Sequence, residues 1–178
     1  MTTAVEIYSD ADEAELIVNG ISLGRKPVGD SFRKYYTRFE THFIPGKIEA
    51  ITYVNGEEAG RQALATVGEG SVPDVSADKT VLRAGSNDLC HILVCLRDGS
   101  GTLDMLSNRK VTVNTEGCIL AGMGSGDPLT EESYQDSTHR LFEGKVLAVV
   151  KAGGTPGNAR VTVSCEGCRD VVTELRIL

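Results

Sequence analysis

Short apolar stretches with a two-residue period constrain this chain more than any other feature of its sequence. Runs rich in valine, isoleucine, threonine and tyrosine recur about every ten residues, and glycine, asparagine, aspartate or proline separates them. A two-residue period places alternate side chains on opposite faces of a β-strand, and no segment keeps a helical period over three turns. The sequence therefore predicts an all-β chain with strands in ten segments: residues 4–9, 14–19, 35–43, 47–54, 60–67, 89–98, 110–116, 145–152, 159–166 and 171–178.

Two Asn-Gly pairs indicate tight turns between neighbouring strands. Residues 18–25 and 54–61 share the pattern V-N-G-x-x-x-G-R. Asn-Gly favours the two-residue type I′ hairpin because both residues tolerate a positive φ. Two copies are too few for a repeat architecture, so we interpret the pattern as two hairpins that use the same kind of turn.

A stretch rich in glycine and proline divides the chain into two parts. Residues 67–75 read VGEGSVPDV and lie between two blocks of strand candidates. We expect them to connect domains at 1–69 and 70–178. Each block has five strand candidates with turn signals at the spacing of a sandwich, so the sequence predicts two β-sandwiches in series.

Composition and charge exclude several classes of partner. The net charge is −7, from 18 basic and 25 acidic residues, and the basic residues are scattered, which argues against nucleic-acid binding. No window approaches the roughly 18 apolar residues of a membrane span. Residues 1–13 lack the basic and apolar regions of a signal peptide. The odd number of cysteines, five, favours a reducing compartment such as the cytoplasm.

The C-x-x-C spacing at Cys165 and Cys168 is a possible metal or redox motif. A structural zinc site needs four ligands, and no second cysteine pair or C-x-x-H follows. A redox pair needs a helix start, and residues 159–178 alternate on both sides of Glu166-Gly167 as a hairpin does. We therefore predict a structural turn with Cys165 on the buried face, and we expect no metal site and no cofactor.

No catalytic group of residues emerges from the pattern. Ser133, Asp136 and His139 could form a triad on paper, with His139 in a loop beside Asp136, but no nucleophile elbow or oxyanion-hole sequence accompanies them. With 25 acidic residues, the composition does not exclude a pair of catalytic carboxylates for glycoside cleavage. Such a pair must face each other across a cleft, and small sandwiches seldom offer a deep one. We predict no catalytic residue in this chain, which leaves its status as an enzyme uncertain.

The run ILAGMGSGDPLTEESY at 119–134 is dense in glycine. Its spacing differs from the dinucleotide pattern G-x-G-x-x-G, it lacks the lysine of a phosphate loop, and no helix follows it. It predicts a β-bulge and a turn that begin a long surface excursion over 121–144. Its conspicuous residues are Gly122, Gly124, Gly126, Asp127 and Pro128.

Flat aromatic rings are the usual platform for a sugar, and this chain has few of them. Tryptophan is absent and aromatic residues make up 5% of the sequence. The best candidates for carbohydrate contact are Tyr35, Tyr36 and Tyr134, although core packing is the alternative for one member of the neighbouring pair.

Both parts of the sequence resemble regions of one enzyme family. Residues 5–26 and 39–68 resemble the small β-domain that follows the catalytic barrel in many bacterial family 2 glycoside hydrolases, the β-galactosidase-like enzymes. Residues 76–101, 111–134 and 142–167 are similar to the next, immunoglobulin-like domain of the same enzymes. The most specific shared element is G-x-G-N-G-D-P, in which this chain has Ser125 in place of the usual asparagine.

The resemblance implies two immunoglobulin-like β-sandwiches in tandem and a parent enzyme that hydrolyses terminal β-galactosides or related β-glycosides. The family's catalytic glutamates belong to the upstream barrel, and none of their motifs occurs here. The chain is thus expected to be a non-catalytic accessory region that serves structural support, domain packing or dimer contact, with the catalytic barrel of its parent as a partner. The alternative is a carbohydrate-binding module that targets the parent to a polysaccharide. An adhesin-type stalk would share the sandwich but is not expected to carry the G-D-P loop.

Overall fold

The computed structural model describes residues 2–178, which form two units built of β-strands. The first unit ends at Thr66 and the second comprises Val67–Leu178. The strands are β1 (Thr2–Tyr8), β2 (Glu13–Val18), β3 (Ile21–Pro27), β4 (Tyr36–His42), β5 (Lys47–Val54), β6 (Glu57–Ala65), β7 (Val72–Ala77), β8 (Val81–Leu82), β9 (Leu89–Arg97), β10 (Lys110–Glu116), β11 (Cys118–Gly124), β12 (Thr138–Arg140), β13 (Lys145–Ala152), β14 (Gly157–Cys165) and β15 (Val171–Ile177).

The predicted all-β fold is confirmed. Residues 2–178 contain no helix, and therefore none that is long and apolar enough to cross a membrane. In each unit two sheets enclose an apolar core, as in an immunoglobulin-like sandwich.

In the first unit, the two-stranded sheet β1-β4 packs against the four-stranded sheet β3-β2-β5-β6. Strand β2 shows the reason for this packing most clearly, because Ala14, Leu16 and Val18 are buried in alternation with half-buried residues. They meet Ile7 of β1 and Phe39 of β4 in one apolar cluster.

The Asn-Gly turns have the predicted backbone conformation. Asn19 and Gly20 have φ values of 49° and 82°, and Asn55 and Gly56 have values of 52° and 82°. Positive φ at both central residues defines the type I′ turn, whose twist matches that of the flanking strands. The first pair joins β2 to β3 and the second joins β5 to β6.

The second unit has larger sheets and a larger core. A five-stranded sheet, β12-β10-β14-β15-β8, faces a four-stranded sheet, β11-β13-β9-β7. All pairs are antiparallel except β15 with β8, which is parallel. The core is aliphatic and draws on both sheets, with central members Ile92, Val94, Val111, Val113, Val146, Ala148, Val150, Val161 and Val163.

Five strands were not predicted from the sequence: β3, β7, β8, β11 and β12. Strand β3 lies at a sheet edge with every residue exposed, so no alternation marks it. Strand β7 overlaps residues 67–75, which we expected to be a connection only. Its Pro73 is compatible with a strand because β7 is also an edge strand. Strands β8 and β12 have two and three residues, too few to show a period.

The buried carboxylate of Asp98 fixes the chain at the start of the second unit. It accepts hydrogen bonds from the Ser100 hydroxyl at 2.6 Å, the Gly68 amide at 2.6 Å and the Ser100 and Thr102 amides at 2.9 Å each. These donors, the Ser100 hydroxyl first and the Gly68 amide next, lower the pKa of Asp98 from 3.8 to about 2.

We predict an acid-dependent loss of stability that Asp98→Asn removes. The folded-state pKa of Asp98 lies below its unfolded value, so its stabilisation is complete above about pH 4 and is lost as the pH falls through about 2. Asp98→Asn should lower the thermal midpoint at pH 7 and flatten its fall between these pH values. Thermal unfolding followed by circular dichroism measures both effects. An unchanged pH profile in the variant would contradict this role.

Candidate functional site

The glycine-rich run leads into a segment that joins the two sheets of the second unit. We call residues 125–137 the strap. It leaves the edge strand β11 of the four-stranded sheet and enters the edge strand β12 of the five-stranded sheet. The Met123 amide donates to the Tyr134 carbonyl at 2.9 Å, and the Val113 amide donates to the Ser137 carbonyl at 2.8 Å. The strap is thereby tied to both sheets of the sandwich.

The glycines at the start of the run serve a close approach of Tyr134. Gly122 and Gly124 belong to β11, and neither they nor Gly126 has a positive φ. A Cβ atom on Gly124 would lie 2.6 Å from Cδ1 and Cε1 of the Tyr134 ring, and one on Gly122 would lie 3.2 Å from the Tyr134 carbonyl oxygen. The predicted bulge is present between Leu120 and Gly122. We expected a turn here, but β11 continues to Gly124. The Tyr134 ring lies against this part of the strand, and glycines leave room for it because they have no side chain.

Asp127 and Pro128 form the turn at the tip of the strap. The Asp127 carboxylate accepts a hydrogen bond from the Leu129 amide at 2.9 Å, and its carbonyl accepts one from the Thr130 amide at 3.4 Å. This is an Asx-type turn, in which the aspartate satisfies the local backbone. The signature residues of the resemblance therefore have a structural explanation within the strap itself.

His139 was expected in a loop, and the structure corrects that position. It lies on β12 and is fully buried. Its Nε2 donates to the Ser133 carbonyl oxygen at 2.9 Å, and its Nδ1 lies 3.3 Å from a carboxylate oxygen of Glu132. That carboxylate also accepts the Arg140 amide. His139 thus holds the strap against β12.

The triad conceivable on paper is not formed. The hydroxyl of Ser133 accepts a hydrogen bond from the Gln135 amide at 3.2 Å, and the Asp136 amide donates to the Ser133 carbonyl at 2.9 Å. His139 contacts the backbone of Ser133 and not its hydroxyl. A nucleophile needs its base within hydrogen-bond reach, so these residues do not constitute an activated serine.

Tyr134 borders an open groove on the second unit. Its side chain is 61% exposed and its ring is stacked at 6.3 Å from the ring of His139. The groove has a volume of about 340 Å³ and is mainly apolar. Its lining is Gly122, Met123, Gly124, Ser125, Tyr134, Leu147 and Val149.

The other two tyrosines singled out from the sequence lie in the first unit, so the three do not form one site within either unit. Tyr36 is half-buried on β4, with its ring centre 5.4 Å from that of Tyr8 and its hydroxyl donating to Glu6 at 3.1 Å. Tyr35 is 60% exposed and borders a second groove. Carbohydrate contact by Tyr35, Tyr36 and Tyr134 stays a prediction.

The cysteines are free thiols, and Cys165 lies in the predicted hairpin. The Cys168 amide donates to the Cys165 carbonyl at 2.9 Å across Glu166-Gly167, and Gly167 has a φ of 76°. Burial, followed by the neighbouring Cys168, raises the pKa of Cys165 to about 11, so this thiol stays protonated and is a poor nucleophile or ligand. Residues 2–178 contain no group of three or more histidine, cysteine or acidic side chains arranged to hold a metal ion.

Comparison with known protein families identifies the second unit. Residues 74–174 match the family described as Glycoside hydrolase family 2 C-terminal domain 5. The chain belongs to this family. Residues 1–60 match a separate family described as Domain of unknown function (DUF4982). The strap of this family 2 C-terminal domain therefore carries the G-D-P element on which the resemblance depended.

Individual relatives of this family 2 chain are much longer proteins. It is 31% identical over 171 residues to the beta-galactosidase BoGH2A of Bacteroides ovatus. This match covers 94% of this chain and 20% of that protein. It is 28% identical over 162 residues to a candidate beta-glucuronidase of Formosa agariphila, with 90% and 16% covered. The crystal structure of a glycosyl hydrolase family 2 member from Bacteroides cellulosilyticus superposes with a TM-score of 0.93 at 27% identity, over 99% of this chain and 23% of that one. The chain thus spans about one fifth of the relatives that it matches.

We predict that Gly124→Ala displaces the ring of Tyr134. The new Cβ would lie 2.6 Å from two ring atoms, too close for van der Waals contact. The Tyr134 ring is exposed and has room to move aside, so the cost should be at the low end for overpacking, about 1 kcal/mol. Hydrogen exchange at the Met123 amide, which donates to Tyr134, should become faster.

Gly126→Ala is the matched control, because its Cβ would meet only Cδ1 of Phe142 at 3.9 Å. The added Tyr134→Ala substitution should remove most of the cost of Gly124→Ala in a double-mutant cycle. Equal destabilisation by both alanine variants, or no coupling between positions 124 and 134, would be inconsistent with close approach as the reason for the glycine.

Proposed function

We propose that this chain is the non-catalytic C-terminal accessory region of a larger β-galactosidase-like enzyme of glycoside hydrolase family 2. Its two sandwiches, at 1–69 and 70–178, support the parent by packing on its catalytic barrel. The observation that carries the proposal is the match of residues 74–174 to a C-terminal domain of that family. In addition, the chain is 31% identical to a beta-galactosidase and spans one fifth of the length of that protein.

The surface of the second unit supports a packing role. The groove beside Tyr134 is mainly apolar, and Leu129 on the strap is 86% exposed. Apolar surface of this kind gains free energy when another protein segment covers it. We propose the catalytic barrel of the parent as that segment, since most of each long relative lies outside the matched region.

The carboxylates at the grooves also favour a non-catalytic role. Glycoside cleavage requires a general acid with a raised pKa opposite a second carboxylate. The groove beside Tyr134 has no acidic residue among its described lining. In the groove beside Tyr35, the Arg33 and Phe32 amides hydrogen-bond to Asp30 and lower its pKa, which is the wrong direction for a general acid.

Turnover measurements on the isolated 178-residue chain test the non-catalytic role. We expect no release of nitrophenol from a nitrophenyl β-galactoside above the rate without protein, because the groove beside Tyr134 has no acidic residue in its described lining and the pKa of Asp30 in the other groove is lowered. A saturable rate that persists through repeated purification would refute this part of the proposal.

The substrate of the parent is a separate part of the proposal and needs a separate test. The β-galactoside assignment follows the name of the more similar relative, whereas the other relative is named for β-glucuronides. The full-length parent should hydrolyse nitrophenyl β-galactoside in preference to nitrophenyl β-glucuronide. The opposite preference would make β-glucuronides the proposed substrate of the parent and would leave the accessory role of this chain unchanged.

A further inference from the structure

The first unit has an open groove whose lining differs in chemistry from that beside Tyr134. It has a volume of about 390 Å³. Polar and apolar groups contribute to it in similar measure, and both charges are present. Its lining is Asp10, Ala11, Val28, Gly29, Asp30, Lys34 and Tyr35.

Tyr35 is held at this groove in an unfavourable backbone conformation. Its φ is 62°, in the left-handed region that bulky residues seldom adopt. Two hydrogen bonds keep the backbone there: the Ser9 amide donates to the Tyr35 carbonyl at 3.1 Å, and the Gly29 amide donates to the Tyr36 carbonyl at 2.7 Å. An exposed ring contributes little burial to offset this strain, so packing of Tyr35 does not explain why a tyrosine occupies the position.

The polar groups of the groove are available to a ligand. Among residues 2–178, the Asp10 carboxylate, the Lys34 ammonium and the Tyr35 hydroxyl make no side-chain hydrogen bond or ion pair with the protein. One oxygen of Asp30 accepts the Phe32 and Arg33 amides, which orients the side chain and leaves its second oxygen free. A donor, acceptors and an aromatic ring thus border the same space.

This set of groups fits a sugar. The face of an aromatic ring is electronegative and packs against the slightly positive C–H groups of a pyranose, while carboxylates accept hydrogen bonds from hydroxyls. The volume is at the lower end of the roughly 300–1,000 Å³ of small-ligand sites, suitable for one or two sugar units. Two carboxylates against one ammonium make the groove net negative, which favours a neutral hexose over a uronate.

We propose that the groove bordered by Asp10, Asp30, Lys34 and Tyr35 is a binding subsite for neutral hexosides. This subsite adds ligand binding to the accessory role and does not depend on that role. Tyr35 supplies the stacking ring, and the two aspartates with Lys34 bond to the hydroxyls. Binding at an open groove of this size is weak and orients or retains a glycan chain without cleaving it.

Isothermal titration calorimetry of the full 178-residue chain tests the subsite, with methyl β-galactoside, methyl β-glucoside, lactose and sodium glucuronate as the probes. We expect saturable binding of at least one neutral probe and weaker binding of glucuronate. Tyr35→Gly should weaken binding at least about tenfold, as expected for loss of an aromatic anchor. Because glycine tolerates a positive φ, this variant should keep or raise the thermal midpoint, so that lost binding cannot be assigned to unfolding.

Phe43→Ala is the matched control, since Phe43 is a similarly exposed aromatic residue of the first unit, at 64%, that does not line the groove. It should leave the affinity unchanged. Tyr35→Asn, which also tolerates the left-handed region, should reproduce the loss seen with glycine. Absence of saturable binding by every neutral probe would overturn the subsite, as would preference for glucuronate, unchanged affinity in Tyr35→Gly or an equal loss in Phe43→Ala. If the groove bound no sugar and were covered by the catalytic barrel of the parent enzyme, it would be a protein interface and the proposal would fail.

Discussion

Burial of aliphatic side chains between two sheets is the interaction on which each unit of this chain depends. In the second unit, Val111, Val113 and Val161 on one sheet pack with Ile92 and Val146 on the other. A one-residue shift of any of these strands would turn its apolar side chains outward, so the core also fixes the strand register. The first unit repeats the arrangement on a smaller scale. Loops that carry candidate sites are therefore presented by rigid sheets.

The close approach of Tyr134 to β11 links the core to the family signature. A ring placed on Gly124, a histidine buried beneath the strap and the Asp127 turn together determine the course of residues 125–137. Each of these residues has a structural partner inside the unit. The element on which the family resemblance depends thus has a structural role within the sandwich, and the groove beside it is mainly apolar.

The groove of the first unit and the groove of the second unit differ in the chemistry of their linings. The groove of the second unit has no charged residue in its lining, whereas that of the first unit combines Asp10, Asp30 and Lys34 with Tyr35. This difference is the basis on which we propose protein contact for the groove of the second unit and a hydroxyl-rich ligand for that of the first unit. Sequence reasoning selected Tyr35 as a ring candidate, but Asp10, Asp30 and Lys34 carried no signal, since their side chains converge only after β1 and β4 pair.

The sequence by itself determined the all-β class, the alternation of faces along the long strands, the two Asn-Gly hairpins and the hairpin turn that follows the buried Cys165. All of these follow from local rules: a period of two, or backbone freedom at one or two residues. Only the tertiary structure decided that Gly122 and Gly124 continue a strand, that His139 is buried and that Pro73 lies in β7. Those outcomes depend on contacts between residues distant in sequence, a ring on β11 or a neighbouring strand at an edge, which no local pattern encodes.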